Sequence, residues 1–392
     1  MLGLLLARSS VRVTVIEKHA DFFRDFRGDT IHPSTLQVLH ELGLLEELLK
    51  QPHSVVRKAT ATIGGEVFHM VDFTHLPTVC KYIALMPQWD FLSFLSKAAQ
   101  RYPSFRLRMS CEAIGLMADG GRVRGVTVRT AAGIEEIPAD LVVGCDGRHA
   151  ITRDAAHLPV IEQGVPIDVL WMRMPREASD PESVLGYANY GRALILINRD
   201  TYFQGGFLIA KGSFPQIQQA GLEAFQQSII RLAPFLAERT QSLTSWNDIK
   251  LLTVQINHLE RWSMPGLLCI GDCAHAMSPV GGIGINIALQ DAVAAANLLV
   301  EPLRRGTLAP SHLQQVQEHR ERAVLRTQTF QAMAHRALNG ILRNPGPVRP
   351  PWLLKLLTRT PGFQRLAGRV IGIGFQPEHV RISESSEQSG EN

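Results

Sequence analysis

The stretch LLCIGDCAHAMSPVGGIGINIALQDA, residues 267–292, decides how this chain folds. Its first four residues form a short apolar run that reads as a buried strand. Gly271 and Asp272 end it, and a carboxylate at that point can accept hydrogen bonds from the hydroxyls of a sugar or polyol. Pro279, Gly282 and Gly284 follow in a glycine-rich loop, where missing side chains let backbone N–H groups approach a ligand closely. A helical pattern then runs from Ile285 to about Val300. The start of a helix presents unpaired N–H donors and partial positive charge, so strand, acidic turn, loop and helix together form an anion-binding arrangement. A plain strand–loop–helix connection with structural glycines is the competing reading, and the length of the string disfavours it.

Working outward, VRVTVI (residues 11–16) is rich in β-branched residues, reads as a strand and is followed by Glu17. Residues 2–7 read as helix, ended at Ser9 and Ser10. Residues 33–50 and 90–101 carry helical periods. Residues 59–71 fit a hairpin around Gly64 and Gly65, and 105–130 alternate like antiparallel strands with a turn at 119–121. Residues 184–210 read as three strands broken at 191–192 and 199–200, and 221–241 and 311–337 read as helices. The expected fold class is α/β: a Rossmann-like nucleotide-binding domain with an inserted, mostly antiparallel sheet domain and C-terminal helices. The expected division is 1–60, 81–165 and 260–310 for the nucleotide-binding domain, and 61–80 with 166–259 for the substrate domain. Residues 311–382 then form a helical region and 383–392 a disordered tail.

Length and composition agree with this. The 392 residues suffice for about two domains, and 45% apolar with 19% charged residues excludes a disordered chain. The formal charge of +4 rests on Lys and Arg that read as scattered, too mild an excess to indicate nucleic acid. Five cysteines at irregular spacing give no disulfide framework and point to a reducing, cytoplasmic compartment. Cys269 and Cys273 with His275 read as small buried residues, and no metal is expected. No stretch reads as long and apolar enough to span a bilayer. Residues 349–370 mix Trp352 and several leucines with Lys355, Arg359, Arg365 and Arg369. They read first as a helix packed on the domain, with contact to a membrane surface as the other reading.

Two further motifs support the first. DLVVGCDGR (residues 140–148) ends a strand at Asp146 and Gly147, with Arg153 beyond; alone it is an ordinary turn as often as a site. Glu17 stands where a dinucleotide fold places an acidic residue on the adenosine ribose. With these in place, the chain resembles the aromatic hydroxylase-type (class A) FAD-dependent flavoprotein monooxygenases. The resemblance implies FAD as cofactor. It assigns the ribityl chain to Asp272 and the isoalloxazine ring to Pro279, Gly282, Gly284 and Asn286. It places Asp146 and Gly147 at the pyrophosphate and implies further FAD contacts at Arg27 (in FRGD, residues 26–29) and Gln88 (in MPQW, residues 86–89). Ala150 stands where the family usually has serine. The likeness continues through YFQGGF (202–207), Lys211 with Gly212, and QPEHVR (376–381).

The resemblance also implies the reaction: NADH or NADPH supplies electrons, one oxygen atom of O2 enters a small aromatic or apolar organic substrate, and the other leaves as water. No protein acid or base is assigned, because the hard chemistry belongs to the flavin. Tyr187, Tyr190, Phe203 and Phe207 could line a substrate pocket or could be core. The G-x-G-x-x-G fingerprint and first strand of such a fold are not present before the first helix. The reading places that strand between residues 11–16 and 267–270, and expects weak FAD binding or low stability of this chain. The alternatives are a reductase or dehydrogenase of the same fold and an inactive flavoprotein-like remnant. A flavin halogenase is disfavoured, as its tryptophan signature does not occur.

Overall fold

The computed structural model describes residues 1–23, 30–181, 184–199 and 201–384, so Arg27 lies outside the described residues. Helix α1 (Leu2–Arg8) buries four consecutive residues, Leu4 to Ala7. It ends at Ser9 and Ser10, the latter in the left-handed region at φ 59°. Strand β1 (Val13–Ile16) is followed by β2 (Thr30–Ile31), α2 (Pro33–Glu41), α3 (Leu45–Leu49) and β3 (Ser54–Val56). Then come the hairpin β4 (Lys58–Ile63) and β5 (Glu66–Asp72), β6 (Ile83–Leu85), α4 (Gln88–Ala99) and β7 (Phe105–Arg108). β1 pairs with β7 in parallel, Val13 opposite Phe105. Residues 105–108 therefore belong to the nucleotide-type sheet, not to the antiparallel run predicted for 105–130. That run begins with β8 (Glu112–Asp119), β9 (Arg122–Thr130) and β10 (Gly133–Pro138), which form a three-stranded antiparallel sheet.

After β11 (Val142–Gly144), α5 (Ile151–Ala155) and β12 (Val160–Gln163), the chain enters the inserted sheet. Its strands are β13 (Ile167–Pro175), β14 (Val184–Asn189), β15 (Arg192–Asn198) and β16 (Tyr202–Ala210). Helices α6 (Phe214–Ala220) and α7 (Leu222–Leu232) follow, then β17 (Lys250–Leu252). The strand order is β17-β13-β16-β15-β14-β4-β5. The hairpin β4–β5 joins in full, with β4 parallel to β14. Alternation of apolar residues along these strands gives two apolar faces. One, with Leu170, Met172, Leu194, Phe203 and Phe207, is covered by α7. The other, with Ile167, Val169, Ala193 and Leu208, meets the end of a later helix.

The chain returns through β18 (Ile256–Leu259), paired with β12, then β19 (Ser263–Met264) and β20 (Leu267–Cys269). β20 is bordered on both edges, by β11 in parallel and by β19 antiparallel. No further strand can therefore lie directly beside residues 267–270, whereas β1 and β11 each have a strand neighbour on one edge only among the described residues. Helices α8 (Gly284–Arg304), α9 (Pro310–Leu342), α10 (Trp352–Arg359) and α11 (Pro361–Gly372) complete the fold. α8 runs between two cores: Ala292, Ala295 and Leu299 face one, Val293 and Ala296 the other. A helix covered on both sides is apolar nearly all round. For that reason residues 280–304 are long and apolar enough to cross a membrane by length and composition, which the sequence reading had denied. Two thirds of that window (67%) is buried inside the protein.

Candidate functional site

β11 and β20 run side by side, Gly144 opposite Cys269, so their two motif turns leave the sheet at the same end. The turns are joined by a side chain. Arg148, just after Gly147, donates Nε to Asp272 Oδ2 at 3.1 Å and Nη2 to the Met277 carbonyl at 2.8 Å. In sequence, Arg148 is marked only as a guanidinium directly after the Asp146–Gly147 turn; its partner, Asp272, lies on the neighbouring turn. Asp272 keeps its side chain about one-third exposed (35%), leaving acceptor capacity for a ligand.

The loop after Asp272 has one saturated side and one open side. Its inner side is clamped by a polar stripe on α9. Gln328 donates Nε2 to the carbonyls of Asn257 (2.7 Å) and Ala276 (3.3 Å). Gln331 accepts the Ser278 N–H and donates to the carbonyls of Ser278 and Val280. His335 Nε2 lies 2.6 Å from Ser278 Oγ, and burial lowers its pKa. These residues recur at helical spacing on a buried face, which is the signal that could have found them. On the outer side Pro279, Val280 and Gly282 are half-buried and Gly281 is exposed. Gly282 sits at φ +62°, and a Cβ there would fall 2.5 Å from Thr30 Oγ1, so only glycine lets the loop lie against β2. Gly284 opens α8; the Asn286 and Ile287 amides donate to the Ile283 carbonyl, and those of Gly284 and Ile285 stand ahead of the first turn's bonds.

Beneath the loop is a buried ionic network. Asp291 on α8 accepts from His275 Nε2 (2.6 Å), the Gly271 N–H (3.1 Å) and Arg320 Nε (3.0 Å). Arg320 continues to Glu378 Oε1 and the Gln376 carbonyl, tying the 376–381 segment to the same point. Asp291 and Arg320 are fully buried. Burial alone would raise the Asp291 carboxyl, but the charges and hydrogen bonds of His275 and Arg320 outweigh it and hold the carboxyl below its usual range. The network fixes where Gly271 and Asp272 leave β20.

The other predicted residues divide into those turned outward and those consumed by the fold. Glu17 follows β1, half-buried, with Oε1 accepting the His19 N–H at 2.9 Å. Gln88 is the first residue of α4 and is half-buried, next to Trp89, whose ring lies 4.9 Å from that of Phe23. Asp146 spends both carboxylate oxygens on Thr152, on its N–H (2.9 Å) and hydroxyl (2.8 Å), and so holds the first turn of α5. Gly147 lies in the turn between β11 and α5. Asn286 is buried and saturated. Its Oδ1 accepts from the His32 N–H and Thr35 Oγ1, and its Nδ2 donates to the carbonyls of Thr30 and Gly282. Its side chain staples the α8 start to β2 and α2. Arg153 donates Nη2 to the Arg148 carbonyl at 3.0 Å and supports that turn.

The aromatic residues offered as a pocket lie elsewhere. Phe203 and Phe207 are buried against α7, with Tyr187 packed beside them, and Tyr190 stacks under Arg231 at 4.3 Å. They are the core of the helix-covered face, because odd and even positions of a strand point to opposite sides. A cavity of about 470 Å³ lined by Arg173, Tyr202, Asn247 and Lys250 lies at the sheet edge and includes none of the residues assigned to FAD. Among the described residues no group of three or more His, Cys, Asp or Glu is placed to hold a metal ion.

Comparison with known proteins agrees with the geometry. A family described as an FAD binding domain matches residues 1–331. The chain is 31% identical to 6-methylpretetramide 4-monooxygenase of Streptomyces rimosus over 97% of its own length and 91% of that protein. It is 25% identical to dialkyldecalin synthase of Streptomyces rugosporus, over 93% of this chain and 75% of that one. Among solved structures, a probable FAD-dependent monooxygenase from Pseudomonas aeruginosa, PqsL, shares the fold with a TM-score of 0.73. The two are 20% identical, over 86% of this chain and 93% of the other.

Proposed function

The chain belongs to the FAD-dependent monooxygenases of the aromatic-hydroxylase type, and from that premise we propose how its own residues serve the reaction. It is an oxidoreductase that uses FAD, with NAD(P)H as the usual electron source of its family, to transfer oxygen from O2 to a small organic substrate. Hydride acceptance and O2 activation come with the flavin.

The Arg148–Asp272 bridge carries the assignment of the site, since it brings two motifs 124 residues apart onto one ligand-facing turn. Asp272 accepts hydrogen bonds from the ribityl hydroxyls through the oxygen that Arg148 leaves open. Pro279, Gly282 and Gly284 would hold the ring system, and the amides of Gly284 and Ile285 at the start of α8 would favour the negative charge a flavin carries when reduced. Gln88 and Glu17 approach from α4 and β1, with Glu17 on the ribose. Gly147 lies at the pyrophosphate. Asn286 and Asp146 act through the loop and the helix start they hold, as positioning residues. The substrate is an aromatic compound, and the relative that acts on 6-methylpretetramide favours a multi-ring one. Trp171, on the α9 side of the sheet, has a buried indole N–H with no acceptor among the described residues, which suits an oxygen acceptor on such a substrate. Five free cysteines, four of them buried, suit a reducing, cytoplasmic setting.

The test has two parts. Full-length protein supplied with FAD should oxidise NAD(P)H in the presence of multi-ring phenols and place one labelled oxygen atom from O2 in the product. NAD(P)H oxidation that never labels any substrate of the panel would favour the reductase reading. Arg148→Met should weaken FAD binding roughly 10- to 100-fold, the worth of a hydrogen bond to a charged group. Unchanged FAD affinity would remove the bridge from the site.

A further inference from the structure

The positive charge of the chain is concentrated in one region. Between Arg322 and Pro377 there are nine Lys and Arg and no Asp or Glu, whereas the whole chain has 40 basic and 36 acidic residues. The remainder is therefore net acidic, and the mild total of +4 hides a strongly cationic stretch at residues 322–377. Within it, α10 is amphipathic in reverse. Trp352, Leu353, Leu356 and Leu357 recur at helical spacing on the outer face and are exposed, Trp352 at 74%. On α11, Leu366 is 61% exposed. Thr358 is the one buried residue of α10.

The outward face is not a core face that failed to dock, because the inner side of the pair is already closed. A Cβ at Gly368 would fall 2.1 Å from the Asp72 carbonyl, so α11 lies directly on the backbone at the end of β5. Ile373, just past α11, fills the core beneath. Lys355 pairs with Glu66 at 2.6 Å, and Gln364 donates to the Thr358 carbonyl at 2.7 Å. The helices are pinned from behind while Trp and Leu side chains point to solvent among Arg349, Arg359, Arg365 and Arg369. Exposed tryptophan and leucine set in a field of cations match a surface that is anionic outside and apolar just beneath.

We propose that α10 and α11 form a docking face for an anionic lipid bilayer surface, with the α10 leucines and Trp352 inserted at headgroup depth. The membrane is bound from one side and is not crossed, since α10 has only eight residues. The proposal does not depend on the redox chemistry, so it stands or falls separately from the assigned activity.

Flotation of the full-length protein with vesicles tests it. Vesicles of phosphatidylcholine with phosphatidylglycerol should carry the protein up, pure phosphatidylcholine vesicles much less, and added salt should release it. Arg359→Gln with Arg365→Gln should weaken binding roughly 25-fold, about fivefold for each cation removed. Trp352→Ser with Leu356→Ser should abolish it while leaving the far-UV spectrum and melting curve in place. No flotation with phosphatidylglycerol vesicles overturns the proposal. So does a dimer that the Trp352 and Leu356 changes dissolve, which would make a second copy the occupant. Binding to a DNA duplex that Trp352→Ser leaves intact, without vesicle binding, also overturns it.

Discussion

Replacing Asp291 by Asn removes one charge from a fully buried network and leaves the shape nearly unchanged. Three donors converge on that carboxylate: His275 Nε2 at 2.6 Å, Arg320 Nε at 3.0 Å and the Gly271 amide at 3.1 Å. Breaking a buried ion pair by removing one partner costs about 3–5 kcal/mol, because the remaining charge stays desolvated. Arg320 retains Glu378 at 3.0 Å and the Gln376 carbonyl at 2.9 Å, so Asp291→Asn belongs near the lower end, about 3 kcal/mol. Arg320→Met leaves Asp291 with His275 and the Gly271 amide and Glu378 with His319 at 2.9 Å, but removes the guanidinium that pairs with both carboxylates, and belongs near the upper end, about 5 kcal/mol. Groups in one network do not add, so the double variant should be less destabilised than the sum by at least about 1 kcal/mol. Urea unfolding followed by far-UV circular dichroism measures this. The same change frees the Gly271 amide and should weaken FAD binding. An Asp291→Asn protein within about 1 kcal/mol of wild type, or a strictly additive double variant, would refute the network as the support of the site.

Two further predictions concern the contact between β2, α2 and α8. His32 is fully buried, and burial drives its pKa down from 6.5 to about 4 against the opposing pull of the Ile371 carbonyl. The unfolded state therefore binds the proton more readily, so stability is complete above pH 6.5 and drains away as pH falls toward 4, by about 3 kcal/mol in all. In His32→Gln this part of the pH dependence of urea unfolding should flatten; an unchanged slope would assign it to other groups. Gly282→Ala places a methyl group 2.5 Å from Thr30 Oγ1 at φ +62°, and should cost about 1–3 kcal/mol while weakening FAD binding. A melting curve and FAD titration equal to wild type would show that the loop moves freely.

Local chemistry was legible where it is written in consecutive residues. The strand, acidic turn, glycine loop and helix of residues 267–292 stand as read, as do the hairpin β4–β5 and the three strands β14 to β16. Less legible was anything that depends on which face a residue takes. Phe203 and Phe207 look the same in sequence whether they line a pocket or fill a core, and α7 decided for the core. Asn286 looked like a ligand-facing amide, and four internal partners use it up. Trp352 and its leucines read as a packed stripe, but Gly368 and Ile373 had already filled the inner side.

Sequence by itself determined the flavin-type α/β class, because a glycine loop between a buried strand and a helix constrains backbone geometry through the residues it names. Tertiary structure alone decided the partnerships: Arg148 on Asp272, the α9 glutamines behind the loop, Asp291 between His275 and Arg320. Those contacts join residues up to 124 positions apart, and directional hydrogen bonds form only where packing has already brought the partners within about 3 Å.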